Sequence, residues 1–216
     1  MVINLSEQHS LLSTWVRELR DVAVQTDRAR FRRNMERIGE VAAYEISKTL
    51  AYEAVSTETP MGTAQCCRLA VQPVLATILR AGVPLHQGLL NYFDHADCAF
   101  VAAYRKHHRD GSFEIEQHYL TSPTLEGRPL ILADPMLATG ASLVQALEAL
   151  VELGKPSSIH VVTAIAAADG VAMLTRKFPE ATLWIAALDE ELTARGYIVP
   201  GLGDAGDLSF GEKEQF

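Results

Sequence analysis

Residues Pro129 to Leu150 read PLILADPMLATGASLVQALEAL. The apolar run Leu130–Ala133 predicts a strand that ends at Asp134, followed by a short loop and a helix that begins near Ser142. In an open α/β sheet, ligands sit at the carboxyl ends of the strands. A loop entering a helix presents N–H groups with no intrahelical acceptor and the positive end of the helix dipole, and both favour a phosphate. Thr139 and Ser142 add hydroxyl donors, and Gly140 permits a tight backbone path. Asp134 stands where a carboxylate binds sugar hydroxyls, directly or with a metal. The loop has no GK[ST], so it lacks the lysine of a nucleoside-triphosphatase loop, and it is not GxGxxG. Two readings stay open on these residues alone: a phosphate cradle, or an aspartate-capped helix start with no ligand.

The same texture extends outward. The runs Val74–Leu79, Cys98–Tyr104, Ile159–Ala166 and Leu183–Leu188 are short and rich in apolar residues. Helices are predicted between them at about Pro84–Phe93, Ser142–Leu153 and Gly170–Phe178. Gly154-Lys155-Pro156 ends the second of these. Continuous apolar strands separated by helices predict an α/β fold, a parallel sheet flanked by helices on both faces. One segment breaks the rhythm. After Tyr104 comes a polar stretch with Asp110-Gly111 as a turn signal, then Phe113, Ile115, Gln117 and Tyr119 at every second position. Residues 104–120 are therefore expected to form a projecting β-hairpin arm.

The first 55 residues read as helical. Leu12, Trp15, Val16 and Leu19 share one helix face, and Phe31, Met35, Ile38, Ala42 and Ile46 share another, with Thr26 or Asp27 as its N-cap. The arginines from Arg28 to Arg37 read as a solvated face rather than a basic patch. From Asp189 to the end the chain is glycine-rich and aperiodic, which predicts loop. The whole, residues 1–216, is expected to be one domain.

Composition narrows the function. With 19 basic and 27 acidic residues the net charge is −8, which argues against coating nucleic acid or an anionic membrane. Cys66, Cys67 and Cys98 are too few for a disulfide framework and contain no CxxC, so reduced thiols are expected. No apolar run approaches ~18 residues, and no leader is visible at the N-terminus, so the expected compartment is the cytoplasm.

Two further segments carry chemistry. In Ile78-Leu79-Arg80-Ala81-Gly82-Val83 a strand end again meets a glycine turn and a helix, and Arg80 is suited to pair with phosphate oxygens. In Tyr197–Asp207, YIVPGLGDAGD, Ile198, Val199 and Leu202 are interleaved with three glycines, a proline and two aspartates. A loop that wraps a flat polar ring with backbone groups needs that composition, whereas a disordered tail is the plainer alternative.

Taken together, ILRAG, DPMLATGAS and GYIVPGLGDAGDLSFG resemble the signature segments of the uracil phosphoribosyltransferases, type I phosphoribosyltransferases, in order and spacing from about Arg20 to Phe210. The resemblance implies a salvage reaction. Uracil and 5-phosphoribosyl 1-diphosphate (PRPP) give UMP and diphosphate, with Mg²⁺ as cofactor. It assigns Arg80 and Arg105 to PRPP. It assigns Asp134, Pro135, Met136, Leu137, Ala138, Thr139, Gly140, Ala141 and Ser142 to the ribose and 5′-phosphate. It assigns Ile198, Gly203, Asp204 and Ala205 to uracil, with Asp204 also at PRPP. Arg80, Arg105, Asp134 and Asp204 are then the catalytic set, and no direct side-chain ligand is singled out for the metal. The hairpin after Arg105 resembles the family's flexible arm. GTP activates some members, and a homodimer or higher homo-oligomer is expected, with the amphipathic N-terminal helices as an interface.

Backbone recognition at Ile198 and Ala205 would separate uracil from cytosine, whose C4 and N3 groups reverse donor and acceptor. His107 and His108 fall in a polar turn, and a solvated role is preferred over acid–base chemistry. The family usually has glycine where this chain has Ala141 and Pro84. A methyl at 141 either crowds the phosphate or, if that residue needs positive φ, is costly, and Pro84 offers no N–H to a ligand. The rival readings are a nucleotide-sensing regulator that binds RNA or DNA, and a phosphoribosyltransferase for another base.

Overall fold

The computed structural model describes residues 1–107 and 113–213, with backbone alone between 103 and 118. In chain order the elements are β1 (Val2–Asn4), α1 (Leu11–Arg20), α2 (Arg28–Ser47), β2 (Tyr52–Thr59), β3 (Gly62–Leu69), β4 (Val74–Leu79), α3 (Val83–Leu90), β5 (Asp97–His107) and β6 (Phe113–Thr121). They continue with β7 (Pro129–Ala133), β8 (Met136–Leu137), α4 (Ala141–Val151), β9 (Ser158–Ala167), α5 (Ala168–Lys177), β10 (Thr182–Asp189), β11 (Glu191–Leu192), β12 (Ile198–Val199) and α6 (Ala205–Phe210).

Strands β4, β7, β9 and β10 are largely buried along their length, as apolar runs covered on both faces must be. The sheet runs β1-β10-β9-β7-β4-β5-β6, with β8 beside β9. Every described pair in it is parallel except β5–β6. The chain winds from β4 to β5, returns to β7 on the other side of β4, and continues outward through β9 and β10. Winding therefore reverses between β4 and β7. Such a switch point opens a crevice at the carboxyl ends of the two strands.

Two apolar layers sandwich the sheet. On one face, Leu12, Leu19, Phe31, Met35, Ile38 and Ile46 of α1 and α2, with Leu85 and Leu89 of α3, pack on Leu75, Ile131, Val162 and Trp184. On the other, Leu143, Leu147 and Leu150 of α4 and Leu174 of α5 pack on Val74, Leu130, Leu132, Val161 and Ile185. Truncating Phe31 to alanine would cost ~3–5 kcal/mol in such a setting. Ser10 caps α1 through its accepted bond from the Leu12 N–H, and Asp27 caps α2 by accepting from Ala29 and Arg30.

The sequence expectations need three corrections. Residues 1–55 are not wholly helical: β1 pairs in parallel with the edge of the sheet at β10, and β2 begins at Tyr52. An unforeseen antiparallel hairpin, β2–β3, stands exposed on both faces. The segment from Asp189 is ordered into β11–β12 and α6 rather than loop. The apolar faces of α1 and α2 pack in the core. Four of the five arginines from Arg28 to Arg37 are paired: Arg30 with Glu18, Arg33 with Glu36 and Glu40, Arg32 with the Ser209 carbonyl, and Arg37 with Asn34. β5 and β6 pair antiparallel from Phe100↔Thr121 to His107↔Phe113, as the hairpin arm requires. β4 reaches only to Leu79↔Ala102. The turn at His108, Arg109, Asp110 and Gly111 lies outside the described residues.

Candidate active site

The turn after β4 and the loop after β7 flank the switch point. Thr77 and Ala133 pair across the two strands, and the Thr77 hydroxyl donates to the Ala133 carbonyl at 3.1 Å in a buried position. A side chain at Gly82 would meet the Ala133 carbonyl at 2.8 Å, so the Arg80-Ala81-Gly82 turn lies directly on the end of β7.

Backbone bonds strap the next loop to β9. The Asp134 N–H donates to Val162 at 3.1 Å, and the Pro135 carbonyl accepts from Ala164 and Ile165 at 3.1 and 3.0 Å. Met136 and Leu137 then pair with Ile165 and Ala166. Gly140 adopts φ +84 at the N-cap of α4 and supplies no side-chain acceptor. The first-turn N–H groups, beginning at Ala141 and Ser142, therefore face the loop with the positive dipole end behind them. Thr139 Oγ1 accepts a long bond, 3.4 Å, from the Ala141 N–H. The Asp134 carboxylate accepts one, 3.5 Å, from Met136. Ala141 does not have positive φ, because among the described residues no non-glycine does. Its backbone therefore carries no left-handed strain. Pro84 lies in the first turn of α3, where a missing N–H leaves no helix bond unmade.

The C-terminal segment closes over these two turns. Ile198 and Ala205 are buried while Gly203 and Asp204 are exposed. The Asp204 carboxylate accepts from the Gly206 and Asp207 N–H groups at 2.9 and 3.0 Å, which starts α6, and Lys213 Nζ donates to it at 3.2 Å. Partial burial pushes the Asp204 carboxyl up. The N–H groups of Asp207 and Gly206 and the Lys213 ammonium outweigh that and leave it below the usual carboxylate range. Arg80 Nη2 lies 3.1 Å from Asp207 Oδ1 and donates to the Gly211 carbonyl at 3.2 Å. Gly196 approaches Thr139 so closely that an added Cβ would lie 3.4 Å from its Cγ2. Open clefts flank the segment. One of about 370 Å³ is lined by Gln25, Arg28, Gly203, Asp204 and Asp207, and one of about 430 Å³ by Asp189, Val199 and Pro200.

The structure thus brings Arg80, the 134–142 loop and the 196–207 segment to one rim. Arg105 lies on β5 past the last β4 pair, and its side chain is outside the described residues. Asp207, Arg20 and Asp189 take part as well. Asp207 stood in the quoted tail with no role. Arg20 and Asp189 are 169 positions apart, with no local signal that joins them. Among the described residues no cluster of three or more His, Cys, Asp or Glu side chains could hold a metal. Asp134 and Asp204 are carboxylates of this rim, and a cation carried mainly by phosphates, the usual habit of Mg²⁺, takes only one or two of them from the protein.

Comparison with known proteins adds an independent line. The family model described as Uracil phosphoribosyltransferase matches residues 6–212. A uracil phosphoribosyltransferase of Porphyromonas gingivalis is 50% identical over 213 residues, covering 98% of this chain and 99% of that protein. The solved AQ2163 protein of Aquifex aeolicus superposes with a TM-score of 0.87 at 30% identity, covering 98% of both chains. In fold alone, a hypoxanthine phosphoribosyltransferase of Staphylococcus aureus is similar, with a TM-score of 0.50 at 15% identity, covering 86% of this chain and 84% of that one.

Proposed function

From the premise that this chain belongs to the uracil phosphoribosyltransferase family, we propose that the three converging segments carry the transfer. The enzyme is a pentosyltransferase that joins uracil to the ribose of PRPP, giving UMP and diphosphate. The bond from uracil N1 to C1 of the ribose forms as the C1–diphosphate bond breaks, and the N1 proton is released. Positive charge develops on the ribose and negative charge on the leaving group. Positioning and electrostatics therefore matter more than a nucleophile.

Each segment has a part. The N–H groups at the start of α4, with Thr139 and Ser142, hold the 5′-phosphate. Pro135, Met136, Leu137, Ala138, Gly140 and Ala141 shape the loop around it. Asp134 holds ribose hydroxyls. Arg80 and Arg105 pair with the diphosphate as charge builds on it. Ile198, Gly203, Asp204 and Ala205 receive uracil through backbone groups, and Asp204 also faces PRPP. Asp134 and Asp204 would be the carboxylates available to hold Mg²⁺ or its bound water, and the ion would supply charge neutralisation to the diphosphate.

The observation that supports this reading most is that Arg80 and the 134–142 loop occupy adjacent strand ends at the switch point, with the 196–207 segment lying against both. An assay of UMP and diphosphate from PRPP with a panel of bases tests it. Uracil should exceed cytosine and the purines, and EDTA should stop turnover. Faster nucleotide formation with a purine would overturn it. The proposal extends to GTP activation, a homodimer or larger homo-oligomer, and a cytoplasmic setting. These are tested by titrating GTP into the assay, by solution mass measurement and by cell fractionation.

A further inference from the structure

Arg20, Asp189 and Gly201 form a closed hydrogen-bonded triangle. Arg20 Nη2 lies 2.7 Å from Asp189 Oδ1, and Nη1 lies 2.8 Å from Oδ2. The same Nη1 donates to the Gly201 carbonyl at 3.0 Å, and the Gly201 N–H donates to Asp189 Oδ2 at 2.9 Å. Both backbone polar groups of Gly201 are thus committed to one ion pair. Arg20 is the last residue of α1, and Asp189 ends β10. The Asp189 side chain is 6% exposed and that of Arg20 is 23% exposed.

We infer that Arg20 and Asp189 are positioning residues, which set the placement of the base-binding segment 198–205 without touching the base. The inference rests on the proposal that Ile198, Gly203 and Ala205 receive uracil. Withdrawing two charges from water consumes much of what their attraction returns, so a buried pair is a poor source of stability. A bidentate guanidinium–carboxylate pair does fix distance and angle on both sides. Gly201 needs that help, because it adopts φ +58 with the Ile198 carbonyl packed where a Cβ would sit.

Two further anchors continue the pattern. Gln25 Nε2 donates to the Leu19 and Leu202 carbonyls at 2.9 and 3.2 Å, and Arg32 Nη1 donates to the Ser209 carbonyl at 2.7 Å. The carbonyls of Gly201, Leu202 and Ser209 are therefore all held by side chains of the N-terminal region, and these bracket Gly203–Ala205. A site that reads a base with backbone groups gains selectivity only when that backbone is already in place.

The test is steady-state kinetics and hydrogen exchange on the full-length enzyme carrying Arg20→Met, Arg20→Lys, Asp189→Asn or Gln25→Met. Arg20→Met and Asp189→Asn should raise the uracil KM at least ~tenfold and lower the uracil-over-cytosine preference, while the PRPP KM stays within about twofold. Arg20→Lys should fall between wild type and Arg20→Met, because an ammonium keeps charge but not the fork. Gln25→Met should raise the uracil KM about two- to fivefold, the loss of a single anchor. Amides of 201–208 should exchange faster in every variant without any ligand. Should Arg20→Met or Asp189→Asn fail to fold, Arg20→Lys and Gln25→Met carry the same comparison. An unchanged uracil KM in folded variants, equal rises in both KM values, or unchanged exchange at 201–208 overturns the inference. If wild type forms no UMP, the functional reading fails instead, and the exchange measurement still decides whether the pair positions this segment.

Discussion

Arg80 Nη2 lies 3.1 Å from Asp207 Oδ1, so the guanidinium proposed to meet the diphosphate is held by a carboxylate of the C-terminal 196–207 segment. Both side chains are partly exposed, at 43% and 29%. An exposed pair of this kind contributes roughly 0–1 kcal/mol. A diphosphate with its greater charge displaces such a partner readily. The pair links the turn after β4 to the start of α6, two places that the sequence keeps 127 residues apart.

Asp207→Asn should therefore lower the PRPP KM about two- to fivefold at low ionic strength, with the difference fading as salt rises. Arg80→Ala should raise the PRPP KM at least ~tenfold, with the uracil KM little moved. Initial-rate kinetics across a salt series measures both. A higher PRPP KM in Asp207→Asn would show that the aspartate assists the substrate rather than competing with it.

Asp134→Asn should reduce kcat by on the order of 10²-fold if the carboxylate stabilises charge on the ribose. The amide keeps the shape of the carboxylate and an oxygen that accepts, and the main-chain straps at Asp134 and Pro135 remain, so the melting temperature should stay within a few degrees. Turnover near the wild-type rate would remove Asp134 from the chemistry.

Gly140→Ala tests the phosphate loop. At φ +84 a side chain costs ~1–2 kcal/mol, and the new Cβ would lie 3.2 Å from the Gly170 carbonyl and from Met173. Thermal melts should show the loss, and the PRPP KM should rise more than the uracil KM. Equal stability and unchanged KM values would mean that the loop tolerates a different path.

Glu18 gives a pH prediction away from the site. Hydrogen bonds from Arg30 and Asn34 hold its carboxyl at about 2, against an ordinary 4.5. The folded value is depressed, so its stabilisation is complete above the unfolded value and is lost as pH falls from 4.5 through about 2. The melting-temperature gap between wild type and Glu18→Gln should be flat above ~pH 5 and close toward pH 2. A gap that stays constant to pH 2 would show that the carboxylate form gives no advantage.

The buried strands were legible because their apolar runs are continuous. Val74–Leu79 coincides with β4, and the others differ by a few residues at their ends. The hairpin β2–β3 was not, because its residues are exposed on both faces and show no apolar alternation. β1 has three residues, too few for a period, and its pairing with β10 is a tertiary fact. In the tail, glycines masked an order that comes from outside the segment, through Arg20, Gln25 and Arg32. The strand–turn–helix form of the 134–142 loop and of the Arg80 turn was legible because strand end, glycine and helix start are local features. The approach of the Arg80 turn to the end of β7 depends on strand order, and the contact of Arg80 with Asp207 on the path of the C-terminal segment, and no local pattern carries either.

A crystal structure of the enzyme soaked with UMP tests the central claim most directly. The phosphate should rest on Thr139 to Ser142 at the start of α4, the ribose beside Asp134, and the uracil ring against Ile198 and Gly203 to Ala205. A nucleotide bound away from the rim between β4 and β7, or a ring that leaves the 198–205 segment untouched, would contradict it.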